Sequence, residues 1–199
     1  GEEVTLDGIV LCGKFHLGGI HNKLKMPGPY FEEDLYTLPF KMPEREGELE
    51  QLAQAITSGL GLSHCLFNAE LRQDAEGNFR VVEFSTRISG GHVYRQIRDV
   101  YGLDLVRLFA KGLMEPSTEA VLRGETPRLL PRMAVCVKFV YRTGLVLRNN
   151  PGEAFHSANY AAYYPVALPG RRVARAPQGF DITGLLSVAT PYSSMTDIK

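Results

Sequence analysis

The segment FNAELRQDAEGNFRVVEFSTRISGG, residues 67–91, constrains the fold more than any other part of the chain. Two stretches of alternating polar and apolar residues flank the turn tetrapeptide AEGN, residues 75–78, and Asp74 lies just before it. The glycine and asparagine of this turn tolerate positive φ. This pattern predicts an antiparallel hairpin. If Asp74 faces Phe79, the pairing places Glu70 directly opposite Glu83.

The predicted hairpin has one polar face and one mostly apolar face, because successive strand residues point to opposite sides. The polar face carries Asn68, Glu70, Arg72, Val81, Glu83, Ser85 and Arg87, and the apolar face carries Phe67, Ala69, Leu71, Val82, Phe84 and Thr86. Directly opposed residues have Cβ atoms about 5 Å apart, so two carboxylates there repel each other. A divalent cation between them removes the repulsion, and magnesium prefers such oxygen ligands. The alternative is a solvated hairpin in which the two arginines neutralise the glutamates.

The hairpin continues into the motif E-x-S-x-R-x-x-G-G. Ser85 lies on the same predicted face as Glu83, so both side chains can approach one cation. Arg87 follows on that face, where its guanidinium can hold a carboxylate or a transferring phosphoryl group. Gly90 and Gly91 allow a ligand to approach the backbone, or offer N–H groups to an anion.

Composition limits the classes of partner. Lysine plus arginine (22) equals aspartate plus glutamate (22), and no basic block occurs, so we expect neither a nucleic-acid partner nor a membrane surface. No apolar run reaches the roughly 18 residues that a membrane span needs. Cys12, Cys65 and Cys136 show no metal-binding spacing, which predicts reduced thiols in a cytoplasmic protein.

The remaining chain predicts an α+β fold in two parts. A helical stripe of leucine, alanine and isoleucine runs from Leu49 to Leu60, and a later helix is predicted with Asp104 at its N-terminus. Domain 1 covers residues 1–115, with a mainly antiparallel sheet and flanking helices. Domain 2 covers residues 116–199 and is a small β-rich lobe, in which a hairpin is predicted to turn at Thr143–Gly144.

The two carboxylates, the motif that follows them and the segment GLDLVRLFAKGL together resemble the metal-binding end of the ATP-grasp superfamily, specifically its carboxylate–amine ligases. The stretches D-G-x-V and G-I-x-x-K near the N-terminus resemble earlier strands of the same family. The similarity covers about residues 1–115 well and the remainder loosely. It implies an ATP-grasp C-terminal subdomain without the N-terminal nucleotide clamp.

The resemblance also implies roles for individual residues. Glu70 and Glu83 would hold magnesium, or manganese, against the phosphates of ATP. Ser85 would be a further metal ligand, although the family usually has asparagine at this position. Arg87 would be catalytic and would stabilise an acyl-phosphate intermediate formed from a carboxylate before an amine displaces the phosphate.

Other implied contacts involve the end of the second predicted strand and the double glycine. Lys23 would contact ATP together with the two glutamates, and His21 would bind substrate together with Arg87, Gly90 and Gly91. The expected substrates are a small-molecule carboxylate and an amine, both of the amino-acid type.

The sequence shows no glycine-rich phosphate loop and no adenine-binding hinge, and Gly1 falls where the resemblance places the end of that hinge. We therefore expect the C-terminal half of a ligase, inactive by itself, with the N-terminal half of the same enzyme and a homodimer mate as possible partners. Three alternatives stay open. They are a non-catalytic binding or dimerisation module, a biotin-carboxylase-like enzyme, and a plain cation-binding hairpin domain.

Overall fold

The computed structural model describes residues 1–24, 29–30, 32–115, 117–123, 128–131 and 133–192. The strands are β1 Glu3–Leu11, β2 Lys14–Lys23, β3 Leu35–Leu38, β4 His64–Gln73, β5 Phe79–Ser85, β6 Met133–Val140, β7 Gly144–Leu145, β8 Tyr160–Pro165, β9 Arg172–Val173 and β10 Gly184–Pro191. The α-helices are α1 Glu46–Gly59, α2 Val93–Tyr101, α3 Leu105–Gly112 and α4 Thr118–Leu122, and short 3₁₀ turns cover Pro43–Arg45 and Gly152–His156.

The chain forms two compact units. The first contains Gly1–Asn22 and Leu38–Arg132, and the second contains Lys23–Thr37 and Met133–Lys199. These bounds differ from the predicted domains 1–115 and 116–199, which stay a prediction, and Pro116 lies outside the described residues.

The sheet of the first unit has the order β5-β4-β1-β2. The pairs β1–β4 and β4–β5 are antiparallel. One face of this sheet packs against α1 around a core that includes Val4, Leu6, Leu49, Ala53 and Phe67. The mixture of antiparallel strands and helices confirms the predicted α+β class.

Helix α1 begins and ends close to the predicted positions, but its apolar stripe is shorter than predicted. Leu49 and Ala53 are buried, whereas Leu60 is 52% exposed. The reason is that the helix ends at Gly59 and Leu60 already lies past its last turn. The prediction that Leu60 belongs to the core was therefore wrong.

Helix α3 begins as the sequence predicts. The carboxylate of Asp104 accepts a hydrogen bond from the backbone N–H of Arg107 at 3.0 Å. This contact satisfies one of the N–H groups that have no partner within the helix. The helix then packs against β1, where a Cβ placed on Gly112 would lie 2.8 Å from Leu11 Cδ2.

The second unit is β-rich, with the strand order β3-β6-β10-β8. Strand β6 pairs antiparallel with β10, not with the segment that follows it. The short strand Gly144–Leu145 instead pairs with Arg172–Val173. The predicted hairpin at Thr143–Gly144 was wrong, since the partners of both strands come from distant parts of the chain.

Candidate active site

The structure brings two rows of polar residues together on one face of the first sheet. Glu70 lies opposite Thr5 on one side and opposite Glu83 on the other. Asn68 lies opposite Asp7 and Ser85 in the same way. Directly opposed residues project to the same face, so these side chains line one patch across three strands.

The opposition of the two glutamates confirms the predicted pairing, although the turn is one residue longer than predicted. Phe79 pairs with Gln73 instead of Asp74, and a bulge between Glu70 and Leu71 restores the register farther along. The bulge also places Val81 opposite Leu71, which corrects its assignment to the polar face. A β-bulge inserts one extra residue and re-aims the side chains beyond it.

The side chain of Asp74 explains the longer turn. Its Oδ1 accepts hydrogen bonds from the backbone N–H groups of Glu76 at 3.1 Å and Asn78 at 2.8 Å. Such local bonds compete with ladder pairing and stabilise turns. Asp74 is thus the first residue of the turn.

Burial of the patch decreases from the inner strand to the edge strand. Thr5, Asp7 and Asn68 are buried, at 2%, 2% and 5% exposure. Glu70 is half-buried and Glu83 is exposed. The carboxylate pair therefore lies where a ligand can reach it from the solvent.

Asp7 is a candidate functional residue that the sequence analysis missed. Its Oδ1 accepts a hydrogen bond from Ser89 Oγ, while Oδ2 is buried without a hydrogen-bond partner among the described residues. Burial raises the pKa of Asp7 to about 7, against the opposing effects of Ser89, Asn68 and the positive charge of Arg87. The available signal was an aspartate inside the apolar strand sequence VTLDGIVL.

The segment after β5 returns over β1 through this contact. Ser89 is buried and bonds to Asp7, whereas Arg87 is exposed and its Nη1 donates to the carbonyl of Ile88 at 2.9 Å. The guanidinium of Arg87 is near enough to Asp7 to lower the pKa of that carboxyl. Arg87 therefore lies close to the polar patch.

The double glycine forms a sharp turn into α2. Gly91 has a φ of 66° and His92 a φ of 61°, so two successive residues adopt the left-handed conformation. Such a φ is uncommon for histidine and occurs often at functional sites. A Cβ on Gly90 would meet no heavy atom within 4 Å, so the space beside that backbone is open.

His21 and Lys23 lie on β2 in different environments. His21 is fully buried, and burial lowers its pKa to about 3 despite a hydrogen bond involving Gln96, so the ring is neutral. Lys23 belongs to the second unit, where its Nζ lies 3.7 Å from Glu33 Oε1 and 5.5 Å from the ring centroid of Tyr36. Their roles towards substrate and ATP stay predictions.

The donor set of the patch suits a hard cation. Glu70 and Glu83 supply carboxylates and Ser85 a hydroxyl, and magnesium is typically bound by one or two carboxylates together with substrate phosphates and water. Within the described ranges, no group of three or more histidine, cysteine, aspartate or glutamate side chains is arranged to hold a metal ion. The remaining coordination positions of a magnesium ion held by these side chains would be filled by water or by oxygen atoms of a ligand.

No protein-family model matches the sequence. Among curated proteins, the alanine–anticapsin ligase of Bacillus subtilis (strain 168) is 26% identical over 108 residues, which are 54% of this chain and 22% of that protein. Carnosine synthase 1 of Gallus gallus is 35% identical over 107 residues, which are 53% of this chain and 11% of that protein.

Solved structures match over nearly the whole chain. The L-amino acid ligase from Bacillus licheniformis aligns with a TM-score of 0.82 at 20% identity, covering 99% of this chain and 51% of that one. The phosphoribosylglycinamide synthetase from Anaerococcus prevotii aligns with a TM-score of 0.74 at 12% identity, covering 99% and 50%. The chain therefore has the ATP-grasp fold over about half the length of these structures, and its relatives in sequence are ligases. The resemblance seen in the sequence is confirmed.

Proposed function

We propose that this chain supplies the metal-binding and acyl-phosphate-binding part of an ATP-dependent carboxylate–amine ligase. The observation that carries the proposal is the direct opposition of Glu70 and Glu83, with Arg87 and a glycine turn following on the same segment. The similarity to an alanine–anticapsin ligase and to carnosine synthase 1 supports the same reaction class.

In this proposal the carboxylate pair and Ser85 hold magnesium against the phosphates of ATP. The bound ion supplies charge neutralisation at the phosphoryl group. Glu70 and Glu83 place that ion at the sheet surface, and the ion removes the mutual repulsion of the two carboxylates. Binding of the metal and the nucleotide is therefore expected to be cooperative.

Arg87 binds the substrate that carries the carboxylate. Its exposed guanidinium can hold the substrate carboxylate in a bidentate geometry and then bind the acyl phosphate formed from it. The open space beside Gly90 leaves room for that substrate at the start of α2. The amine then attacks the activated carbonyl and phosphate leaves, so the protein contributes mainly positioning and charge.

The complete reaction is expected to need more than these 199 residues. The chain corresponds to 51% of the L-amino acid ligase structure. No described helix is both long and apolar enough to cross a membrane. We propose that the N-terminal half of the same cytoplasmic enzyme binds the nucleotide base, and that the chain alone does not form amides.

The test is an assay of phosphate release and amide formation by the polypeptide that the gene encodes, with ATP, magnesium and pairs of amino acids. We expect phosphate release that requires both a carboxylate and an amine, and an amide product of matching mass. Arg87→Lys should lower kcat about a hundredfold, a typical loss for one group that stabilises transition-state charge, while Arg80→Lys in the hairpin should not. Release that depends on bicarbonate and needs no amine would contradict the proposal, as would amide formation by the isolated chain.

A further inference from the structure

A thiol and an imidazole meet at the end of β1, away from the polar patch. Cys12 Sγ lies 3.4 Å from His64 Nε2, and the backbone N–H of Cys12 lies 3.3 Å from the same nitrogen. Leu11 pairs with His64 in the ladder, whereas Thr5 pairs with Glu70. Six residues of strand separate the two places, which is about 20 Å.

The turn holds Cys12 in one position. Gly13 N–H donates to the carbonyl of Ser63 at 3.0 Å, and Gln54 Nε2 donates to the carbonyl of Gly13 at 3.1 Å. On the other side, Thr118 Oγ1 donates to the carbonyl of Leu11 at 3.1 Å. The thiol is thus presented by a backbone that is fixed from three directions.

Cys12 is also the accessible thiol among the three cysteines. Cys12 and His64 are both exposed, while Cys65 is half-buried and Cys136 is buried. Burial raises the pKa of Cys65, and it raises the pKa of Cys136 to about 11. The two shielded thiols are therefore expected to react slowly, since the thiolate is the nucleophile.

The distances match a nucleophile and its base. A catalytic or reactive thiol is recognised by a base within hydrogen-bond reach of the sulfur. His64 Nε2 can accept a hydrogen bond from the backbone N–H of Cys12, or it can take up the proton of the Cys12 thiol. When it takes the thiol proton, the resulting Nε2–H faces the thiolate that it has created.

We infer that Cys12 and His64 form a thiol-modification site that reacts with small-molecule disulfides. His64 Nε2 takes the proton from Cys12, and the sulfur attacks one sulfur of the disulfide. A new S–S bond forms, the original S–S bond breaks, and the departing thiolate takes the proton from His64. One disulfide is consumed and one is formed, so no further oxidant is needed.

The experiment is stopped-flow reaction of the 199-residue chain with 5,5′-dithiobis(2-nitrobenzoic acid), with the modified residue located by peptide mass mapping. We expect one fast thiol per chain, at least tenfold faster than the other two and faster than Cys12 in the urea-unfolded chain. Cys12→Ser should remove the fast phase, and Cys65→Ser should leave it. His64→Gln should slow it at least tenfold, in line with the loss of a general base, while His156→Gln should not.

Three results would overturn the inference. They are mapping of the fast phase to another cysteine, an unchanged rate in His64→Gln, and a folded chain that reacts no faster than the unfolded one. The last comparison needs no variant, so a misfolded His64→Gln cannot obscure the answer. The rate is expected to be the same in Glu70→Gln/Glu83→Gln, because the reaction is independent of the proposed ligase function.

Discussion

At the scale of single residues, Asp7 is a buried carboxyl group inside an otherwise largely apolar strand of the first unit. A carboxylate removed from water is costly unless hydrogen bonds or charges compensate, and only one of its oxygens has a partner among the described residues. The bond to Ser89 joins β1 to the segment that carries Arg87. A strand residue chosen for stability alone would be apolar here, which suggests that the site needs this carboxyl group.

We expect Asp7→Asn to change how stability depends on pH. The pKa rises from 3.8 to about 7 on folding, so between these values the folded chain keeps a proton that the unfolded chain has lost. The contribution of Asp7 to the free energy of unfolding therefore falls as pH rises through this interval, by about 4 kcal/mol in total. The asparagine variant lacks this decline.

Urea unfolding at pH 4.5 and 7.5, in buffer with EDTA, measures the effect. The difference between Asp7→Asn and the wild type should grow in favour of the variant at the higher pH. Asp99→Asn, an exposed helical aspartate, is the control and should track the wild type. An equal difference at both pH values would show that Asp7 titrates normally in the folded chain.

Single residues also differ in whether the local sequence predicts their place in the site. Strand alternation and the local turn sequence predicted the opposition of Glu70 and Glu83, but the structure reaches it through a longer turn and a bulge that the local pattern does not show. Asp7 was missed because its hydrogen-bond partner, Ser89, is 82 residues away in the sequence. Likewise, no local pattern distinguishes His21, which is fully buried, from an exposed strand histidine.

At the scale of elements, short-range signals predicted structure better than long-range ones. Helix α1, the break before α3 and the hairpin all followed from spacing, glycines and caps. The pairing of β6 with β10 did not, because the strands are separated by more than forty residues. The bulge in the hairpin was also missed, since it results from the Asp74 turn and not from hydrophobic alternation.

The cap of α3 gives a prediction at this scale. Asp104→Ala removes the acceptor for the Arg107 N–H, and we expect the free energy of unfolding to fall by about 1 kcal/mol. Asp104→Ser should recover most of the loss, because serine is also a good N-cap residue. Urea denaturation monitored by circular dichroism measures both variants. Equal stability of the alanine and serine variants would refute a capping role.

At the scale of the whole molecule, the chain contains the carboxylate pair and Arg87 within its first compact unit. The fold match extends across both units, although the match in sequence to the curated relatives covers only about half of the chain. Catalysis by positioning needs both reactants held at once, so the nucleotide-binding part of the fold is expected to be required. This requirement is the reason for proposing that this chain binds the metal and the acyl phosphate while another part of the enzyme binds the nucleotide base.

The most direct test of the central claim is calorimetric titration of magnesium and ATP into the polypeptide that the gene encodes, beside its Glu70→Gln/Glu83→Gln and Glu76→Gln variants. The account predicts that the double variant loses at least tenfold in affinity, about 1.4 kcal/mol, because the cation loses both carboxylates. Glu76, in the exposed turn of the same hairpin, should be replaceable without effect. Equal affinity in the double variant and the wild type would contradict the account and show that the opposed glutamates do not hold the metal.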